Sequence, residues 1–140
     1  MAGGFSHDAE GKVLEHVTGG TAYTQPGNYM ALFTATATEA EIEAGTMTNE
    51  VANANAYART AITFGAHSGT APSSVSSNAD CTFPAASGGS WGTVTYAALC
   101  ASNVHGTADP IFVGTLTAAK TVNDGDTFKF NSGAVTFTLD

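Results

Sequence analysis

Short apolar segments separated by turn residues dominate the chain from residue 29 onwards. Clear examples are "YMALFTA", "WGTVTYAALCAS" and "IFVGTLT", and clusters of Gly, Ser, Pro, Asn and Asp lie between them. Such segments are typical of strands in a packed sheet. They follow one another without a strand–helix rhythm, which argues against a doubly wound sheet. The pattern predicts a mainly β protein: an antiparallel β-sandwich or barrel of about seven short strands with an N-terminal α-helix.

The length of the chain sets the expected domain organisation. Its 140 residues are enough for one core, so we predict a single domain over 1–140. Within it we expect a helix at 6–18 and a β-sandwich at 29–140. The stretch "GAHSGTAPSSVSSNAD" is rich in Gly, Ser and Pro, and it predicts an exposed loop or edge segment at 65–80.

The segment "SHDAEGKVLEHVT" predicts one amphipathic helix. Ser6 is placed to cap its N-terminus, and four apolar residues recur at helical spacing to make one stripe. These are Ala9, Val13, Leu14 and Val17. Because a helix of three turns is marginal alone, we expect the stripe to pack on a sheet or on a neighbouring subunit.

The other elements follow from caps and alternation. Thr38 and Glu41 have capping-box spacing and predict a short helix at 39–44. Both alternate sets of residues in "YMALFTA" are apolar, so this strand is expected to be covered on both faces. Further strands are predicted at 57–64, 81–83, 91–101 and 111–117. The strands 127–130 and 134–139 are expected to pair as a closing hairpin, with Gly133 at a positive φ in its turn.

Charge limits the partners of the chain. Four basic residues stand against twelve acidic ones, which gives a net charge of −8. Binding of nucleic acid or of an anionic membrane needs clustered Lys and Arg, so neither is expected. Charged residues make up only 11% of the chain. Such a surface is typical of a protein packed against neighbours, or of a robust extracellular or virion β-protein.

Targeting signals are not expected either. No apolar run approaches the roughly 18 residues of a spanning helix. The N-terminal "MAGGFSHDAEGK" has no basic region followed by an apolar core, so a secretory signal is not predicted. We therefore expect synthesis in the cytoplasm, with retention there or release by lysis.

The residues suited to catalysis or metal binding do not form a convincing site. We therefore predict no catalytic, cofactor-binding or metal-binding residue, and we predict no cofactor. His7 and His16 project to opposite faces of the first helix, and the histidines at positions 67 and 105 fall in predicted loops. Ser90 has no base near it in sequence. The acidic residues at positions 39, 41 and 43 predict a solvated face, and "NDGD", with Asp124 and Asp126, predicts a plain turn rather than a calcium loop.

Two further pairs of side chains have alternative interpretations. Cys81 and Cys100 are predicted to be reduced, buried residues on strands, and a disulfide would require those strands to be neighbours. Trp91 and Tyr96 would suit an aromatic platform for a sugar. A single Trp at the start of an apolar strand is more often part of the core.

Several segments together resemble one family. They are "KVLEHVTGGTAYTQPGNYMALFTATATEAE", "YARTAITF", "TFPAASGGSWGTVTYAAL" and "VGTLTAAKTVNDGDTFKFNSGAVTFTLD". They resemble small virion proteins of tailed phages, usually labelled tail fibre proteins and similar to capsid decoration or cement proteins. The sequence departs from that pattern at 46–56, where Asn and Ala replace an expected glycine-rich turn, and in its longer "HSGTAPSSVSS" region.

The resemblance implies a non-enzymatic structural role in the virion. The main hypothesis is a capsid decoration protein that binds the major capsid protein on the outer surface of the head as a homotrimer. The alternative is a tail fibre, tail tip or baseplate component involved in recognising a host surface, including its glycans. A virion-borne glycan hydrolase is disfavoured, because it needs two acidic groups in one cleft and the acidic residues lie mostly in the first 50 residues and in turns.

Overall fold

The computed structural model describes residues 2–70 and 72–139, so positions 1, 71 and 140 of the predicted domain and loop lie outside the described residues. The described residues contain nine strands and two helices. In chain order they are β1 (Ala2–Phe5), α1 (His7–Val17), β2 (Tyr29–Thr34), α2 (Glu39–Glu43), β3 (Thr60–Ala61), β4 (Ser73–Ser76), β5 (Cys81–Thr82), β6 (Gly92–Cys100), β7 (Pro110–Val122), β8 (Lys129–Phe130) and β9 (Thr136–Leu139).

The largest sheet has five strands in the order β1-β7-β6-β2-β3, and all its neighbouring strands are antiparallel. The four middle residues of β2 are buried, and they alternate between two separate core clusters. Ala31 and Phe33 contribute to one cluster, and Met30 and Leu32 contribute to the other. The prediction that this strand is covered on both faces is confirmed.

Each face of the five-stranded sheet has its own cover. On one face, Ile42 of α2 and Met47 pack against Phe33 and the facing residues of β6 and β7. On the other face, the core includes Phe83, Phe128 and other aromatic side chains from β5, β8 and their flanking segments. Two short two-stranded sheets, β4-β9 and β5-β8, form this second layer.

The predicted closing hairpin is wrong. β8 pairs with β5, and β9 pairs with β4, so the two segments belong to different sheets. The backbone of Ser77 explains the difference, because its carbonyl accepts from Gly133 N–H at 2.7 Å and its N–H donates to the Val135 carbonyl at 2.8 Å. Gly133 does have the predicted positive φ, of 80°. Its turn therefore redirects the chain between two sheets.

Two other predicted segments differ from the structure. The segment 65–80 contains β4, so part of it is an edge strand paired with β9. The last predicted strand before the hairpin extends well past residue 117, because β7 continues to Val122. Its pairing with β6 shifts register: Tyr96 is opposite Thr115, whereas Val94 is opposite Lys120. Residues 116–119 form a bulge between these pairs.

The segment at 57–64 was predicted as one strand, but only Thr60–Ala61 is a strand. The residues before it leave the extended conformation, since Asn55 and Ala56 have φ of 53° and 64°. This left-handed turn lies where the family pattern led us to expect glycine. Non-glycine residues adopt such a φ at an energetic cost.

Both helices begin at their predicted caps. Ser6 Oγ accepts from the Ala9 N–H at 3.2 Å, and Thr38 and Glu41 form the capping box of α2. The prediction of a mainly β fold with antiparallel sheets and an N-terminal helix is confirmed, with sheets that remain open rather than closed into a barrel. Neither helix in the described ranges is long and apolar enough to span a membrane.

Candidate interaction surfaces

Three of the four histidines are exposed, as predicted. His7 and His16 are exposed on α1, and His67 is exposed beyond β3. His105 differs, because it is partly buried and its Nε2 lies 2.9 Å from the Val51 carbonyl oxygen. Its ring also stands edge-on to a buried tyrosine. This histidine therefore has a packing role.

Three of the five acidic residues considered as metal ligands accept hydrogen bonds from backbone N–H groups. Glu41 caps the start of α2. Asp124 accepts from the Gly88 N–H at 2.9 Å, and Asp126 accepts from the Asn123 N–H at 2.9 Å. The plain turn predicted for "NDGD" is therefore confirmed. Among residues 2–70 and 72–139, no group of three or more His, Cys, Asp or Glu side chains is arranged to hold a metal ion.

The aromatic pair considered as a sugar platform is separated in the structure. Trp91 is 6% exposed, and its Nε1–H donates to the Asn55 carbonyl at 2.9 Å. Tyr96 packs against the core cluster on the other face of the large sheet. The Ser90 hydroxyl donates to the Val122 carbonyl at 2.7 Å, so it has a local backbone partner. The core interpretation of Trp91 is confirmed.

The two cysteines are free and buried, as predicted. Cys81 lies on β5 and Cys100 on β6, and these strands do not pair with each other. Burial raises the pKa of the Cys81 thiol to about 11 and that of the Cys100 thiol to about 12. Both therefore behave as small apolar residues at neutral pH.

A buried ionic cluster beside β2, here called the Arg59 network, was missed by the sequence predictions. The Arg59 guanidinium forms a fork with the Glu50 carboxylate, with Nε 2.9 Å from Oε1 and Nη2 3.0 Å from Oε2. Its other N–H groups donate to Asp109 Oδ1 at 2.9 Å and to the Ser102 and Thr107 carbonyls at 3.0 Å each. All five guanidinium donors therefore have an acceptor.

The Arg59 network reaches the large sheet through a tyrosine. The Tyr57 hydroxyl donates to Glu50 Oε1 at 3.0 Å and accepts from the Leu32 N–H of β2 at 3.0 Å. Burial, followed by the charge of Glu50, raises the pKa of Tyr57. For Arg59, burial is the largest single influence and opposes the charged form, but the hydrogen bonds to Glu50 and Asp109 and the neighbouring negative charges together outweigh it, so the pKa is raised. The network therefore ties the 102–109 segment to β2 by charge-assisted bonds.

A weak signal for this network exists in the sequence. The chain has only four basic residues, and Arg59 lies inside the alternating segment "YARTAITF". The alternation placed Tyr57 and Arg59 on the same face, and the structure buries both at 4% and 5% exposure. Glu50 and Asp109 lie nine and fifty positions away in the chain, so alternation does not identify them as partners.

Helix α1 exposes two large apolar side chains among its charged and polar residues. Ala9 is the buried member of the predicted stripe, while Leu14 is 62% and Val17 is 69% exposed. The helix is anchored at its N-terminus, because the Ser6 hydroxyl donates to the Pro110 carbonyl and the Ser6 N–H donates to the Ile111 carbonyl at 2.8 Å. The C-terminal half of α1 therefore carries its apolar residues into solvent.

β1 is an edge strand without the usual protection. In the described part of the chain it pairs with β7 on one side and with no strand on the other. Its sequence "AGGF" has no charge and no proline, the devices that commonly keep edges from pairing. Gly3 is required here because a Cβ would lie 1.7 Å from the Val113 carbonyl oxygen.

An apolar groove runs between the two layers near this edge. Phe112 of β7 stacks on Phe5 at 4.0 Å between ring centroids and on Phe137 of β9 at 4.1 Å. Phe64 continues the row at 5.4 Å from Phe137. Leu139 lines the groove and is 58% exposed.

These features define a class of protein before any comparison. The antiparallel sheets remain open, and several of the candidate reactive groups, among them Ser90, Trp91 and His105, are engaged in packing or in hydrogen bonds to the backbone. The chain is therefore a small, mainly β module of packed antiparallel sheets with an N-terminal helix. A family model described as "Podophage GP4 fiber I protein gp80" matches residues 4–138, and the chain belongs to this family. No curated protein matches the chain.

The family match confirms the resemblance to phage virion structural proteins related to tail fibres. It begins within β1 and ends within β9, so it includes both layers of the fold. The 46–56 segment and the longer loop lie inside the matched range. They are therefore local variations within the family's domain.

Proposed function

We propose that the chain is a structural component of a phage tail fibre and has no enzymatic activity. The family description, which names a fibre protein and matches residues 4–138, carries the proposal. The alternative weighed from the sequence, a tail component, fits that description better than capsid decoration does. Binding to the major capsid protein, assembly as a homotrimer and a place on the capsid surface remain predictions.

The physical character of the fold supports a structural role. The Arg59 and Glu50 side chains are fully buried, so the network that fixes the 102–109 segment is shielded from salt. Leu14 and Val17 of α1 and the edge of β1 offer contacts that carry no charge of their own. A module in a virion uses many such modest contacts, which gain strength from their number.

Copy number and position in the virion test this proposal. Mass spectrometry of purified virions would measure the amount of the chain relative to the major capsid protein, and gold-labelled antibodies would locate it by electron microscopy. We expect a handful of copies per particle and label at the tail. Near-stoichiometric amounts with label over the head would reject the fibre proposal in favour of capsid decoration.

Contact with a host-surface glycan is a second candidate role, and one groove favours it. The groove lies between α1, the 21–26 segment and β7, and its lining includes Lys12, Tyr23, Thr24 and Asp109. Asp109 Oδ2 is buried and has no hydrogen-bond partner within the described residues. A saccharide would supply hydroxyl donors to carboxylates and an apolar face to a tyrosine ring.

Binding of the purified protein to host cells tests the glycan role. We expect the Tyr23→Ala variant to bind less than the parent, while Tyr96→Phe serves as a control on the opposite core cluster. Equal binding by the parent and the Tyr23 variant would reject the groove as the contact. That outcome would not affect the position of the protein in the virion, which the antibody labelling measures separately.

A further inference from the structure

The strands of the two layers form a ring that is open at one place. From β1 the five-stranded sheet leads to β3, and isolated bridges from Phe64 to Ser77 and from Ser68 to Ser74 connect the segment after β3 with β4. β4 then pairs with β9. In the part of the chain that the structure describes, neither β9 nor β1 pairs with a further strand. The ring therefore ends in two free strand edges.

A groove lies between these two edges, and we call it the edge groove. It has a volume of about 380 Å³, and residues of β1, β7 and β9 line it. Its lining includes Phe112 of β7, whose ring stacks on Phe5 of β1 and on Phe137 of β9. The edge groove therefore offers an aromatic surface between two strand edges.

The free backbone groups of β1 follow from the hydrogen-bond alternation of antiparallel strands. The Ser6 N–H donates to the Ile111 carbonyl of β7 at 2.8 Å, and β1 continues in the same register. The next residue of β1, Phe5, therefore directs its N–H and its carbonyl away from β7, toward the free edge. An extended backbone beside β1 would give these groups their hydrogen-bond partners.

The same alternation applies to β9. The Ser77 N–H donates to the Val135 carbonyl at 2.8 Å, and the register continues into the pairing of β4 with β9. Thr136 and Thr138 therefore direct their backbone groups away from β4. Both residues line the edge groove. Each side of the opening thus presents backbone donors and acceptors to a segment that enters it.

The other face of β1 is acidic. A Cβ at Gly4 would lie 3.8 Å from Glu43 Oε1, so Gly4 faces α2, whereas the Phe5 ring lies on the side of the edge groove. Glu39 is also close, because Thr115 of β7 donates to its Oε2 at 3.5 Å. Neither Glu39 nor Glu43 forms a salt bridge within the described residues. A strand added to β1 would place every second side chain beside these carboxylates.

We propose that the β1 edge binds an extended segment of another polypeptide, in which apolar residues alternate with lysine or arginine. The segment adds a strand to the large sheet, as in recognition by β-augmentation. Its apolar side chains enter the edge groove, and its basic side chains lie beside Glu43 and Glu39. This contact does not depend on where the chain lies in the virion.

Charge opposes a second copy of the chain as the occupant. Two β1 edges side by side would bring the Glu43 carboxylates of both copies close to each other. Each copy also carries a net charge of −8, so repulsion adds to this cost. A basic segment instead gains from the same charges, which is why the proposal specifies lysine or arginine.

Binding of synthetic peptides to the full chain tests the proposal. The probe is a short fluorescent peptide of alternating valine and lysine, and anisotropy measures its Kd. One control peptide has glutamate in place of lysine, and the other has proline at its centre, because proline cannot donate to a strand ladder. We expect the basic peptide to bind, and both controls to bind at least about fivefold more weakly. Equal binding of either control, or no binding of the basic peptide, would overturn the proposal.

Two variants that remove one negative charge each locate the contact. Glu43→Gln should weaken binding of the basic peptide about two- to fivefold, because it removes an opposite-charge pair across neighbouring strands. Glu15→Gln is the matched control, since Glu15 is exposed on α1 and should leave the Kd unchanged at about 0.15 M salt. The melting temperature of each variant checks its fold. Equal effects of the two variants would mean that the peptide responds only to net charge, which contradicts the proposal.

Hydrogen exchange reports the backbone pairing. The Phe5 N–H should exchange rapidly in the free chain and roughly tenfold or more slowly with saturating peptide. The Gly4 N–H, which the alternation directs toward β7, is the internal control and should change less. Slowing at the β3 edge, Thr60–Ala61, instead of at Phe5 would refute the assignment to β1. Protection of Phe5 by self-association without peptide would assign the edge to a second copy and refute it as well.

Discussion

Replacing Arg59 by methionine should remove the cation of a buried network and leave its anion behind. The Glu50 side chain is 0% exposed, and in the variant it keeps bonds from the Tyr57 hydroxyl and the Gly106 N–H but loses its counter-charge. Removing one partner of a buried ion pair costs about 3–5 kcal/mol. Asp109 also loses its bond to Arg59 and adds to the cost, because its side chain is only 17% exposed and its Oδ2 is buried.

The expected loss is a large share of the whole stability, which is about 5–15 kcal/mol for a domain. The entropy of unfolding is roughly 2.1 cal/mol/K per residue near 60 °C, or about 0.3 kcal/mol/K for a chain of 140 residues. A loss of about 3–5 kcal/mol then lowers the melting temperature by about 10–17 °C. Calorimetry and urea unfolding would both measure this change.

Two companion variants make the result specific to the buried charge. Arg59→Lys keeps the cation but loses the fork and most of the five bonds, so it should be less stable than the parent and more stable than Arg59→Met. Adding Glu50→Gln to Arg59→Met removes the stranded anion and should restore part of the loss. The reasoning would be refuted by an Arg59→Met chain within about 1 kcal/mol of the parent. A double variant no more stable than Arg59→Met would refute it equally.

Three further outcomes are expected. Gly3→Ala should lower the melting temperature and expose β1 to hydrogen exchange, because its Cβ would lie 1.7 Å from the Val113 carbonyl oxygen; unchanged exchange would contradict this. Ala56→Gly should raise the melting temperature by about 2–3 °C, since the residue has a φ of 64° and glycine relieves the cost; a lower value would count against it. Cys81 and Cys100 should resist thiol reagents at pH 8 until the chain unfolds, because burial raises their pKa values to about 11 and 12; rapid native labelling would refute this.

The local elements were predictable because their causes lie within a few residues. Ser6 caps α1 through a bond to the Ala9 N–H, and the capping box of α2 joins residues three positions apart. The two-sided burial of β2 follows from its four apolar middle residues, which alternate between the two faces of the sheet. Short-range hydrogen bonds and side-chain periodicity can be recognised directly from the order of the residues.

Strand partners were less predictable because pairing is decided by distant segments. Neighbouring strands in a chain often pair, but not always. Here Phe130 is opposite Cys81, and Phe137 is opposite Val75, so the expected hairpin divides between two sheets. The backbone of Ser77 separates the two predicted hairpin strands, because it forms hydrogen bonds with Gly133 and Val135.

By itself, the sequence determined the β class, the two capped helices, the burial of the thiols and the resemblance to phage structural proteins. Each depends on composition, local spacing or shared motifs. The tertiary structure alone decided which strands pair, that Arg59 is enclosed by Glu50 and Asp109, and that Leu14 and Val17 of the predicted stripe stay exposed. The reason is physical: partners in space come from remote parts of the chain, and burial depends on whether the rest of the fold reaches a given surface.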